Sequence, residues 1–219
     1  MKNLSALIII LLSAISVFAD NNQNENFDFT HNRFSFGGLL TSSDSYQLEA
    51  SYHYMFNRYV GLGGGFGYWS VWYEEGWAAE KDWEIESDEN KPSNIYLRPS
   101  LVLKTPPLKV RNVDLGLFAE PGIMLNVPYA SAHIRQYTNW PNYDLRKIST
   151  SKGQWLAADL RLGVYVNFGP LGFSAGYLIS NLDVYSQYRH LSYKGISFDK
   201  YYPKKSFMQG AYLTASYYF

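Results

Sequence analysis

Apolar and polar side chains alternate along this chain with a period of two, in eight stretches that run from Arg33 to Phe219. That period places successive side chains on opposite faces of a strand. The stretches are 33–41, 45–56, 59–73, 93–104, 113–127, 154–168, 172–185 and 207–219. In the second, Tyr46, Leu48, Ala50, Tyr52, Tyr54 and Phe56 alternate with Gln47, Glu49, Ser51, His53 and Met55. In the sixth, Leu156, Ala158, Leu160, Leu162, Val164, Val166 and Phe168 alternate with a set that includes Asp159 and Arg161. The third sets Gly61, Gly63, Gly65 and Gly67 on one phase, against Val60, Leu62, Phe66 and Tyr68 on the other. Glycines weaken a strand unless something bulky must approach it, so this row predicts large side chains crossing toward it. Pro99 and Pro121 fall on the apolar phase of the fourth and fifth stretches. Each removes a ladder donor and predicts a local irregularity.

The connections carry a second pattern. Those near Asn57, Pro106 and Pro170 are short, while 74–92, 128–153 and 186–206 are long; a short first loop, 42–44, is the one exception to strict alternation. Short turns on one side and long loops on the other predict an all-β fold, an eight-stranded antiparallel up-and-down transmembrane β-barrel with both termini on the periplasmic side. Aromatics on the apolar phase gather at the strand ends: Phe56, Phe168, Phe173, Tyr217 and Phe219 at the periplasmic set, Tyr46, Trp72 and Phe207 at the other. Two such girdles around a Leu/Val/Ala band suit two membrane interfaces. The rival is a soluble barrel of lipocalin type, which turns its apolar face inward around a ligand. The other phase of this chain, with Glu49, Arg98, Glu120, Asp159 and Arg161, is too charged for that.

Composition adds an address. Lys2 precedes the apolar run 4–18 and Ala19, which predicts a signal peptide over 1–19, then a polar, Asn-rich periplasmic arm over 20–32 and the barrel over 33–219. The 18% of aromatic residues, 20 of them Tyr, take their meaning from the placement above. With no cysteine, disulfide frameworks and Cys-based sites are excluded. A formal net charge of +0 argues against a nucleic-acid partner.

The mature chain resembles the small eight-stranded outer-membrane barrels of Gram-negative bacteria, similar in layout to the OmpA transmembrane domain and the OmpX group. Tyr217 and Phe219, with Leu213 and Ala215 behind them, look like the C-terminal signal read by the outer-membrane assembly machinery. The resemblance implies an outer-membrane location reached through the inner membrane, with outer-membrane lipid, lipopolysaccharide and that machinery as partners. The loops are longer and more aromatic than a minimal barrel needs.

Candidate sites follow. The inward charges Glu49, Arg98, Glu120, Asp159 and Arg161 are expected to pair across a lumen just wide enough for its side chains, which plugs it rather than lining a pore. Of the four histidines, His31 lies in the arm and His53 points inward, while His133 and His190 lie in loops with Ser131, Ser186 and Asp183 near in sequence. That is thin support for nucleophilic catalysis. The loop 74–92 carries net charge −6, against +3 in 128–153 and +4 in 186–206. Opposite charges predict a folded cap; the basic residues Arg135, Arg146, Lys147, Arg189, Lys204 and Lys205 and the aromatics Trp77, Trp83, Tyr137 and Trp140 are candidates for binding lipopolysaccharide or a host surface. The segment 87–90 (SDEN) lacks the spacing of a defined calcium loop. No cofactor or metal is expected, and the chain is read as a monomer. The functional reading is non-enzymatic: surface interaction, adhesion or envelope integrity. A lipid-modifying deacylase or acyltransferase and a narrow ion channel are the alternatives.

Overall fold

The structure is a computed structural model and describes residues 30–86, 91–110, 113–139 and 142–219. The expected signal peptide over 1–19, most of the expected arm over 20–32, the segment 87–90 and Trp140 lie outside these residues. The strands are β1 (Asn32–Thr41), β2 (Ser45–Met55), β3 (Val60–Val71), β4 (Ala79–Glu80), β5 (Trp83–Ile85), β6 (Ser93–Lys104), β7 (Leu108–Val110), β8 (Val113–Asn126), β9 (Ala130–Asn139), β10 (Asn142–Thr150), β11 (Leu156–Phe168), β12 (Leu171–Ser180), β13 (Ser192–Tyr193), β14 (Ile196–Ser197) and β15 (Met208–Tyr218).

Eight of them close on themselves as an antiparallel barrel in the order β1-β2-β3-β6-β8-β11-β12-β15, with β15 returning to β1. The last seam runs from Arg33 opposite Tyr218 to Thr41 opposite Gly210, and backbone bonds between Asn32 and Phe219 (3.1 and 3.0 Å) extend it by one pair. Closure leaves no membrane-level edge with unpaired backbone, the condition for strands to span lipid.

The phases are inverted relative to a soluble barrel. Phe36 is 57% exposed, Phe66 55% and Leu213 64%, whereas Arg98 is 0% and Gln47 2%. Apolar side chains cover the outside and polar ones fill the inside, as a lipid-facing wall requires. Aromatic pairs mark both rims: Tyr46 stacks on Trp72 at one, while Phe168 meets Phe173 and Tyr217 stacks on Phe219 at the other.

The glycine row has the predicted cause. A Cβ on Gly67 would lie 2.3 Å from the Tyr96 ring, one on Gly61 2.3 Å from Met55 Sδ, and one on Gly65 2.9 Å from Glu49. Along Gly61, Gly65 and Gly67 the lumen is already filled by side chains from neighbouring strands, at Gly63 a Cβ would lie 2.0 Å from the Tyr52 backbone itself, and only further up the same face do Trp69 and Val71 enter the interior. The β6–β8 register continues past both prolines, but pairing is interrupted twice: around Pro99, between Leu97 opposite Leu125 and Ser100 opposite Gly122, and around Pro121, between Ser100 opposite Gly122 and Leu103 opposite Ala119.

Three elements differ from the alternation reading. β12 stops at Ser180 rather than 185, because short polar side chains capture the backbone: Ser180 Oγ accepts from Leu182 N, and Asp183 Oδ1 from Tyr185 N. The Pro-stiffened segment 105–112 contains β7, which folds back on β8. The long insertions also build structure of their own: a second, four-stranded sheet in the order β10-β9-β5-β4.

Candidate functional site

The lumen and the cap above it hold the polar chemistry. β2, β6, β8 and β11 each contribute inward charges at about the same height, and β1 adds one more. Arg98 is wholly buried; its Nε donates to Asp159 at 3.0 and 2.9 Å and its Nη2 to the Glu120 carbonyl at 3.0 Å, with the Glu120 carboxylate on Nη1. Arg161 forms a two-pronged pair with Glu49 at 2.8 and 2.7 Å and lies 3.7 Å from Glu120. The five charges named from sequence therefore come together. Sequence reasoning missed Arg33, whose Nη1 is 3.7 Å from Glu120 and whose Nε donates to Ser216, and Tyr96, which donates to Glu49 at 3.0 Å. With Arg33 the cluster has three guanidinium groups and three carboxylates. The missing signal was charge balance: two arginines against three acids should have prompted a search for another inward cation.

Beside this network is a cavity of about 20 Å³, lined by Arg33, Gln47, Glu49, Glu120, Arg161 and Tyr212 among others. That is room for roughly one water. Nearer the periplasmic rim, His53 Nε2 and Ser100 Oγ lie 2.8 Å apart, both buried. The pair is enclosed in the lumen and reaches neither lipid nor solvent. Lys104 bonds to the Tyr218 hydroxyl.

Above the barrel the loops pair as their charges predict. Arg135 Nη2 meets Glu86 at 2.8 Å and Lys205 meets Glu75 at 2.6 Å. Lys194 and Lys200 reach Asp82 and Glu80. Lys200 first, then Tyr201, holds the Glu80 carboxyl below its usual range; Lys194 does the same for Asp82. Trp83 is not at the surface. It is 1% exposed, stacks on Phe198 (5.6 Å between centroids, 11° between planes) and meets Tyr193 edge-on, so it is the hub of the cap. Tyr137 bonds Glu84 and Arg189 bonds Asp183, so these too hold the cap together. Trp77, Arg146, Lys147 and Lys204 remain exposed.

Glu74 lies at the root of the cap beside Tyr202, its Oε1 buried with no hydrogen-bond partner among the described residues. Burial pushes its carboxyl up to about 7, against the pull of Tyr202 and Lys91.

The histidines do not assemble a catalytic set. His190 Nδ1 lies 2.7 Å from the Ser186 carbonyl, and Asp183 is engaged by Arg189. His133 Nδ1 is buried within β9, and His31 stacks on Tyr54 and meets the Met55 carbonyl.

No family model matches this chain. No curated protein matches it either. Among solved structures, it is similar to a major outer membrane protein from Thermus thermophilus, with 13% identity, 86% of this chain and 99% of that one covered, and a TM-score of 0.47. It is similar to Neisserial surface protein A (10%, 86% and 96%, TM-score 0.42) and to the N-terminal β-barrel domain of Pseudomonas aeruginosa OprF (13%, 86% and 96%, TM-score 0.37). At those identities and scores the barrel reading rests on this chain's own pairing and faces. With eight strands closed in antiparallel order, apolar outside and charged within, the chain is a β-barrel of outer-membrane type.

Proposed function

We propose that the protein is a non-enzymatic component of a Gram-negative outer membrane whose cap acts as a surface for interaction or envelope stabilisation. The observation that carries this reading is the cap's charge pattern. The acidic loop and the two basic loops engage one another through Glu75, Glu80, Asp82 and Glu86, and Arg146, Lys147, Lys152 and Lys204 stay exposed. Exposed cations above a membrane suit phosphate-bearing head groups such as those of lipopolysaccharide. Reversing all four to Glu should weaken binding of the refolded protein to lipopolysaccharide micelles about tenfold, since each exposed contact is worth a few tenths to 1 kcal/mol. Equal binding by wild type and variant overturns the reading.

The lumen network supports a plugged barrel over a channel, and the enclosure of the His53–Ser100 pair away from lipid and solvent supports a non-enzymatic role over lipid modification. Stable conductance steps in a planar bilayer would overturn the first. A lost or moved acyl chain in lipid A or phospholipid after incubation with the protein would overturn the second.

A further inference from the structure

Among the described residues β10 is the outer edge of the cap sheet: it pairs with β9 on one side and with no strand on the other. From Asn142 to Lys147 every residue is exposed, and Tyr143–Thr150 holds no Pro, Gly or register shift. Long edges of this kind are normally blunted, because their open backbone groups recruit another strand. Which groups are open follows from the neighbouring ladder. Tyr137 N donates to Asp82 and Glu86 N donates to the His133 carbonyl, so the odd positions of β9 face β5 and its even positions face β10. Asp144, Arg146 and Ile148, opposite Gln136, Ile134 and Ala132, therefore spend their backbone bonds on β9. Tyr143, Leu145 and Lys147 direct theirs to the open side.

We propose that this edge pairs antiparallel with the same edge of a second copy of the chain, about a two-fold axis through Leu145. The partner follows from charge complementarity. With Leu145 opposite itself, Asp144 falls opposite Arg146 of the second copy and Tyr143 opposite its Lys147, each twice by symmetry. Shifting the axis to residue 144 sets Asp144 against Asp144, and shifting it to residue 146 sets Arg146 against Arg146; like charges directly opposite are destabilising. The open backbone positions match in the Leu145 register, since Tyr143, Leu145 and Lys147 face Lys147, Leu145 and Tyr143. The Asp144 and Arg146 side chains are 60% and 62% exposed and only 3.9 Å apart within one chain, so both are accessible to a partner. Pairing joins two four-stranded sheets into one of eight. This departs from the monomer expected from sequence, and it rests on the reading of the cap as an interaction surface.

The test is sedimentation of the refolded protein in detergent free of lipopolysaccharide, so that failure here leaves the lipopolysaccharide measurement standing. Wild type should form a dimer that grows with protein concentration. Asp144→Arg should abolish it, and Asp144→Arg combined with Arg146→Asp should restore it. Leu145→Pro removes a donor that points to the open edge and not to β9, so this variant should keep heat-modifiable migration and lose the dimer. A monomer at every concentration, a dimer indifferent to Asp144→Arg and Leu145→Pro, or a double variant that fails to recover, overturns the proposal.

Discussion

Arg161 and Glu49 lie 112 residues apart in sequence and face each other across the lumen in a fork, Nη1 to Oε1 at 2.8 Å and Nη2 to Oε2 at 2.7 Å. Bidentate geometry fixes direction as well as charge. Taking such charges out of water costs nearly as much as their attraction returns, so the network is not a store of stability. Removing one member is another matter. Arg98→Ala leaves three carboxylates facing two guanidinium groups, and the expected loss is about 3–5 kcal/mol. The urea midpoint of the heat-modifiable form measures it, and a loss below about 1 kcal/mol, the size of an exposed pair, would contradict the burial argument.

The strands were legible because their periodicity is set by the wall they form: each residue faces either lipid or lumen, and alternation writes that choice directly into the sequence. The cap was not legible in the same way. Its sheet joins Trp83 to Gln136 and Ile85 to Ile134, pairs more than 45 residues apart made by segments as short as the three residues of β5. Periodicity cannot be read over so few positions. From sequence Trp83 counts as a surface anchor because Trp and Tyr together with Arg in a loop is the composition of a binding hot spot, yet β5 lies between β9 and β4 and the indole turns onto Phe198. Charge complementarity between loops was visible, since it depends on totals rather than on which residues meet.

Gly67 tests how completely the lumen is filled. Its Cβ would come within 2.3 Å of the Tyr96 ring, whose hydroxyl is held by Glu49. Gly67→Ala should destabilise the barrel by about 1–3 kcal/mol through overpacking. In the background of Tyr96→Leu the same substitution should cost less, because the two side chains compete for one space. Equal costs in both backgrounds, read from urea midpoints, would mean that the strand and not the ring sets the penalty.

Glu74 predicts the pH dependence of the cap. Its carboxyl moves from the usual 4.5 to about 7 on folding, so the folded cap holds a proton that the opened loop releases. The contribution to stability is fully present below about 4.5 and is lost as pH rises through about 7. Protection factors of the Tyr185, Tyr188 and Tyr202 amides, which surround this site, should therefore be larger at pH 5 than at pH 8 once the intrinsic rise of exchange with pH is divided out. Glu74→Gln should remove most of that difference. A pH response that survives the substitution would assign it elsewhere.

The final residues separate folding from delivery. Leu213, Ala215, Tyr217 and Phe219 all lie on the outer face of the closing strand; Phe219 is 53% exposed and Tyr217 49%. The Phe219 ring lies on the outside and stacks on Tyr217, while its backbone bonds Asn32. Phe219→Ala therefore keeps the seam between β15 and β1, and in detergent its urea midpoint should move by no more than a surface substitution does, within about 0.5 kcal/mol. If the terminal aromatics serve assembly, the same variant expressed in Gram-negative cells should yield several-fold less heat-modifiable protein in the outer membrane, and Tyr217→Ala should do likewise. Parallel losses in detergent and in cells would instead make these rings part of barrel stability. Unchanged yield in cells would remove Phe219 from the assembly signal and leave it as one more member of the periplasmic girdle.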